Sequence, residues 1–449
     1  MKRNRSILVF VIALTMILPL IPGVSAFASV EKIKIKVALF DSGVNMQESR
    51  KNVFKAFTEQ FPNIEPEFQF ITSDSYGQNW TGYLTKIQTL IAGGNAPDVA
   101  GLGLEGVAML VMNDLALPID DYIEANQEES AKIMDGIDKG LLEIFRVDGK
   151  LYGVPWEANS VATHIRSDMF EAAGVEMPKA DWTIEEFKEI CEKISDPDKG
   201  IYAFGVPTNF FCLQALLYAN GAAPLNDDWS AAAINSEKSV EVFQFLQDAI
   251  FKHQWAPQPN SNISDSDLLI QGRIAMGWWG RWVSAGYKAS ELKNVVYAQT
   301  LPSWNGSNKT CAGSASFVVM ANTKYPDIAK KVALWCAGYD YVNTFLATGS
   351  LPANEDYGRI ICAADDTIVN WEMMYETYNT GNWRRSQDPP EYAELGNIYG
   401  KYMDIIYSNQ MPAKEALDLA AAEINQVFAN STYRDTPEEL AVIESLFKN

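Results

Sequence analysis

The sequence predicts an α/β protein of more than one domain, with parallel sheets covered by helices. Three observations predict it. Strand-like and helix-like segments alternate from residue 33 to residue 100. A second series begins after residue 155, and 449 residues are too many for one compact core.

The first element is in EKIKIKVALF. Ile33, Ile35 and Val37 alternate with lysines before the run turns fully apolar, as in a strand entering a buried sheet. The loop Asp41-Ser42-Gly43 follows, then a helix whose stripe is Val53, Phe54, Phe57 and Phe61. Ile64 to Ile71 is the next strand. Trp80 to Ile91 is a helix with Leu84, Ile87 and Ile91 on one face, stopped by Gly93-Gly94. Asp98-Val99-Ala100 opens a third strand. Strand–helix–strand–helix–strand in this order requires parallel pairing.

The second series starts from LYGVPWEANSVATHI, a strand punctuated by Gly153 and Pro155 that leaves the first domain. Thr183 and Glu186 form a capping box flanked by Trp182 and Phe187, so a helix begins there. Further helix is expected at Val240–Phe251, strand at Val295–Leu301 and Gly313–Ala321, and helix from Pro326 and over Ala413–Phe428. In AMGWWGRW, a strand sends Trp278 and Trp279 to opposite faces. Trp278 is assigned to the core, and Trp279 and Trp282 to an exposed platform.

Composition narrows the function. Lys2, Arg3 and Arg5, the apolar run Ile7–Leu20 and Ala26-x-Ala28 read as an export signal cleaved near Ala28. Its loss removes three basic residues and no acid, taking the formal charge from −21 to −24. That acidity argues against nucleic acid or an anionic membrane as partner. Two histidines, His164 and His253, leave little for His-based triads or His-rich metal sites, and no two of the five cysteines have metal or redox spacing. The cysteines are expected to be buried free thiols.

Five segments then carry a resemblance: WTGYLTKIQTLIAGGNAPDVA, GKLYGVPWEANSVATHIRSDMFEAAGVEMPKADWTIEEF, GRIAMGWWGRW, VVYAQTLP and PAKEALDLAAAEIN. In this order, behind an export signal, they are similar to the extracellular solute-binding proteins of ABC sugar importers, the maltose-binding-like group. The resemblance implies a two-lobed periplasmic-binding-protein fold whose hinge is crossed three times, near Val154–Ala162, Tyr297–Leu301 and Leu351–Asn354. Lobe one would hold residues 29–155 and 300–351, and lobe two 156–299 and 352–449. It implies a monomer that captures a carbohydrate and hands it to a permease, with no catalytic group, cofactor or metal.

Candidate ligand contacts follow from the residues and the resemblance together. Asp41 and Ser42 end the first strand, Trp80 opens a helix, and Glu157 lies on the first crossing. Asn209 and Phe211 precede a helix, and Gly313 and Ser314 begin a strand. Trp279 and Trp282 are flat rings suited to a sugar's C–H face, and Trp383 and Arg384 lie in TGNWRRSQDPPEY. Two other functions share parts of this pattern. A secreted glycoside hydrolase would need two paired carboxylates. A binding protein for a polyamine would show acids with aromatics, and one for a phosphate ester would use Arg281 or Arg384.

Overall fold

The computed structural model describes residues 32–41, 44–72, 80–260, 262–345, 349–365 and 367–448. The expected export signal and Ser42 lie outside them. The described strands are β1 (Ile33–Asp41), β2 (Ile64–Thr72), β3 (Val99–Gly103), β4 (Ala116–Leu117), β5 (Arg146–Val147), β6 (Lys150–Leu151), β7 (Pro155–Ser160), β8 (Ala162–Arg166), β9 (Tyr202–Phe204), β10 (Ile274–Trp279), β11 (Val296–Gln299), β12 (Thr310–Met320), β13 (Ile368–Val369) and β14 (Trp383–Arg385).

In the first sheet β1 lies between β2 and β3, parallel to both, with Val37 opposite Phe68 and Val99. The helices Val44–Gln60 and Trp80–Ala92 return the chain between these strands, as parallel pairing requires. Their apolar stripes, Val53, Phe54, Phe57, Leu84 and Ile87, are all buried.

β12 organises the rest of this sheet. Ala312 pairs with both Ser160 and Arg385, and Ala315 with both Glu157 and Gly103. A strand has only two edges, so β7 takes one and β3 and β14 share the other. β3 runs antiparallel to β12 and β14 runs parallel to it. The C-terminal ends of β3 and β14 therefore point at each other across Gly313 and Ser314.

The second sheet has the order β13-β11-β8-β10-β9, with β8 antiparallel to β10 and β11. Its helix Ile184–Ile194 starts at the expected capping box of Thr183 and Glu186. Trp182 packs edge-on against Phe187 at 5.7 Å, and Phe187, Phe204 and Trp278 form one ring cluster. All five cysteines are free and buried.

Only Val161 separates β7 in the first sheet from β8 in the second. β7 is hydrogen-bonded on one side to β12 and on the other to residues 351–353. Ala158 N donates to Leu351 O at 2.8 Å and Ala353 N to Trp156 O at 3.1 Å. Three connecting segments thus lie side by side between the sheets.

Two sequence expectations need correction. Residues 300–309 stay with the second unit: Ser303 bridges Thr183, Trp304 Nε1 donates to Glu241 at 3.1 Å, and Asn305 Nδ2 donates to Asn220 at 2.6 Å. The return to the first sheet comes at Thr310, later than Tyr297–Leu301, because this loop satisfies its polar groups on second-unit helices. The C-terminal segment is also divided. β14 joins the first sheet, and the helix Pro437–Lys448 packs on the helix Val107–Met112 and on β5, with Asp148 N donating to Ser445 Oγ at 2.9 Å. Residues 352–449 therefore do not all belong with lobe two.

Candidate ligand-binding cleft

The meeting point of β3 and β14 gathers the candidate site. The turn after β3 carries Glu105, and the segment after β14 carries Ser386 and Asp388. On the other edge of β12, Glu157 sits opposite Ala315. Ligands of open α/β sheets gather at such strand ends, where main-chain groups and loop side chains are left unpaired.

Trp80 is half-buried at the start of its helix, with Phe40 at 5.2 Å and Tyr83 at 5.4 Å. Its indole nitrogen and the Glu105 carboxylate crowd the same side of Gly103, where any added Cβ would collide with both. Glycine is required there by close approach rather than by backbone angle.

Glu157 is buried. It accepts from Asn159 Nδ2 at 2.9 Å and from the Ser350 side chain, and its main-chain oxygen accepts from Ser314 Oγ at 2.5 Å. Burial pushes its carboxyl up to about 6. Gly313 lets the half-buried Phe211 ring reach the sheet, since a Cβ at Gly313 would lie 2.9 Å from that ring. Phe211 in turn meets Trp282 edge-on at 6.0 Å. Trp282 is half-buried and folds over Gly280 at the start of a 3-10 turn, Arg281–Val283. Trp80, Glu157, Phe211, Trp282, Gly313 and Ser314 are therefore linked into one region.

Other candidates are placed differently. Asp41 ends β1 and accepts from Gln47 Nε2 at 2.7 Å. Asn209 caps the helix Phe210–Ala219, its Oδ1 accepting from Phe211 N at 2.9 Å, so its side chain is committed to the helix end.

Trp279 is 4% exposed. It lies over Gly277, edge-on to His164 at 5.6 Å, and hydrogen-bonds to Asp265. It occupies the sheet face opposite Trp278, as alternation requires, but helices cover that face too, so it packs rather than forming a platform.

Trp383 and Arg384 line a pocket of about 400 Å³ with Asp227, Trp229, Arg385, Gln387 and Phe447. Trp383 packs against Tyr378, and Arg384 pairs with Asp227 at 3.2 Å and lies over Tyr218. The cause is the direction of β14. Its first two residues sit opposite Thr310 and Cys311, while the cleft begins beyond its last residue. Arg281 is likewise committed, to Asp365 Oδ2 at 2.8 Å and to Gly349 O at 2.8 Å.

Three acids were missing from the sequence candidates: Glu105, Asp388 and Asp265. Glu105 lies in the turn Leu104–Gly106 that follows β3, which is the position a strand-end rule selects. Asp388 is marked only by the Pro389-Pro390 that follows it. Asp265 lies at the start of the helix Asp265–Ile270, and burial pushes its carboxyl up to about 6. Among the described residues no group of three or more His, Cys, Asp and Glu is arranged to hold a metal ion.

Residues 43–342 match the family of bacterial extracellular solute-binding proteins. The chain belongs to this family. An arabinooligosaccharide-binding protein of Bacillus subtilis (strain 168) is 22% identical over 362 residues, which cover 75% of this chain and 81% of that one. An ABC substrate-binding protein of Listeria monocytogenes, solved in complex with cycloalternan, superposes with a TM-score of 0.78 at 22% identity, over 89% of this chain and 100% of that one. A solute-binding protein of Thermotoga lettingae TMO, bound with alpha-D-tagatose, gives a TM-score of 0.75 at 22% identity, over 88% and 100%. The solute-binding chain described here therefore has the two-lobed fold of those proteins. Among its described residues no helix is long and apolar enough to cross a membrane.

Proposed function

We propose that this solute-binding protein captures a carbohydrate between its two lobes and delivers it to an ABC transporter permease, without catalysing a reaction on it. The observation that carries this reading is the cleft itself. Trp80 is a half-buried ring beside Glu105, where the ends of β3 and β14 meet, and Trp282 is a second half-buried ring that meets Phe211, itself packed on Gly313. A flat indole covers the C–H face of a sugar with few torsions to freeze, and carboxylates accept from its hydroxyls. The sugar-bound relatives above support the solute class.

The lobes would divide at Val161, at Thr310 and near Leu351–Asn354, with closure about the three connecting segments. The mature chain, released near Ala28, would act outside the cytoplasm as a monomer. A phosphate ester is the weaker alternative, because carboxylates surround the cleft and Arg281 and Arg384 are committed elsewhere.

A saccharide panel read by melting temperature and tryptophan fluorescence tests the reading. A bound saccharide should raise the melting temperature with its concentration and leave the sugar intact. If no saccharide shifts the melting temperature, or if the purified protein hydrolyses a glycan, the reading fails.

A further inference from the structure

We propose that the C-terminal helix, Pro437–Lys448, is a clasp that joins the two lobes outside the hinge and holds them in the arrangement described here. The inference is independent of which solute the cleft takes.

The helix is rooted in one lobe and grips the other. Its root is the helix Ala413–Asn430, which packs on Glu237–Phe251. Asn425 Oδ1 accepts from Ala232 N and Asp418 Oδ1 from Asn235 Nδ2, both at 2.9 Å, which fixes that root to the second unit. The turn that follows is tied down as well. Ser431 Oγ donates to Glu391 Oε1 at 2.6 Å, and Arg434 Nε donates to the same oxygen at 2.7 Å in a pair almost closed to solvent. The Arg434 guanidinium also lies 4.0 Å from the Phe428 ring. Only Asp435 and Thr436 then separate Arg434 from the C-terminal helix. Two residues span about 7 Å at full extension.

The helix itself lies on residues that precede the Val161 crossing. It packs on Val107–Met112 and on β5, with Ile443 and Leu446 buried. Just before it, Tyr433 Oη accepts from Asn113 Nδ2 at 2.8 Å. Near its end, three successive residues hold three different parts of the molecule. Ser445 Oγ accepts from Asp148 N at 2.9 Å, on lobe one. Leu446 O accepts from Arg385 Nη1, on β14. The Phe447 ring meets Trp229, in the second unit, at 6.1 Å.

Arg385 suits this junction. Leu446 O is one of the last four carbonyls, which a helix leaves without an intrahelical partner, and the helix dipole favours a cation there. The buried guanidinium lies 5.3 Å from the Trp229 ring, and Asp388 supplies the opposite charge that favours its ionised form.

Rotation about the hinge separates points that lie away from the connecting segments. A link of two residues gives little slack, so opening must pull the helix off lobe one or off Trp229. The clasp contacts therefore stabilise the arrangement in which they form. A solute that touches both lobes draws on the same arrangement, so the clasp raises the share of molecules ready to enclose it.

The test measures the ligand-free mature chain. Nitroxide labels at Glu129→Cys and Glu192→Cys form one pair across the lobes, and labels at Lys55→Cys and Lys238→Cys a second. All four positions are exposed, whereas the five native cysteines are buried. Double electron–electron resonance on the labelled chain should give one dominant separation per pair, matching the structure. Ser445→Pro unwinds the last helical turn and removes the acceptor for Asp148 N. It should add a second separation and shift the ratio of the two at least about tenfold, what one hydrogen bond to a charged group contributes. Ser445→Ala combined with Phe447→Ala is the milder variant should the first fold poorly, and should move the ratio the same way by about threefold or more. Separations left unchanged by both variants overturn the proposal: the helix Tyr392–Tyr407, which packs on Trp80–Ala92, would then hold the lobes without the clasp. A wild-type chain already divided between the two separations in the variants' ratio overturns it equally.

Discussion

Replacing Trp282 by alanine separates a ligand platform from a core residue. The ring is half-buried, touches Phe211 by its edge, and leans on Gly280. An indole buries about 200 Å² when fully enclosed, so one face given to a sugar is about 100 Å². At about 25 cal/mol per Å² that face contributes about 2.5 kcal/mol to binding. Trp282→Ala should therefore weaken binding of the preferred saccharide by about 60-fold, since about 1.4 kcal/mol is tenfold. Because the ring is not fully enclosed, the stability cost should stay below the ~3–5 kcal/mol typical of deleting a buried tryptophan. Trp278→Ala is the internal standard for that larger loss, as Trp278 is 2% exposed within the Phe187 and Phe204 cluster. The assay pairs titration calorimetry with urea unfolding on both variants. A dissociation constant within threefold of wild type, joined to a stability loss equal to that of Trp278→Ala, would refute the platform role.

Glu157 gives a pH prediction. Its carboxyl sits at about 6 against an ordinary 4.5, so the folded state holds its proton longer than the unfolded state. Its contribution to stability therefore falls as pH rises from about 4.5 to 6, by about 2 kcal/mol in all at about 1.36 kcal/mol per unit. Glu157→Gln should remove that slope, so the stability difference between wild type and variant should change across this window in urea unfolding; parallel curves count against it. Arg281→Met leaves Asp365 without its buried partner and should cost about 3–5 kcal/mol in the same assay, and a loss under 1 kcal/mol would mean the pair is not what holds the 349–350 segment. Asn209→Ala should cost about 1 kcal/mol of stability as a lost helix cap and leave the dissociation constant unchanged; weakened binding would return Asn209 to the cleft.

Much of the molecule was legible from short-range pattern. The Thr183–Glu186 box starts a helix because both partners lie within one turn. The stripe of Val53, Phe54 and Phe57 marks a buried face because helix period and residue spacing coincide. Trp278 and Trp279 point to opposite faces because β10 is a strand. That pattern was silent on whether the second face was open, and Trp279 was misplaced for this reason. Trp383 and Arg384 fit a loop with exposed rings, yet they form the strand whose far end, not its start, reaches the cleft.

By itself the sequence determined the α/β class, the order of the elements, the ends of several helices and, through its resemblance, the family. Those properties depend on residues near one another along the chain, or on segments kept in a fixed order. Only the tertiary structure decided which strand ends meet. β3 and β14 are far apart in sequence and share one edge of β12 in opposite directions, so Glu105 and Asp388 become neighbours by non-local pairing alone. No spacing between them in the chain could announce that contact.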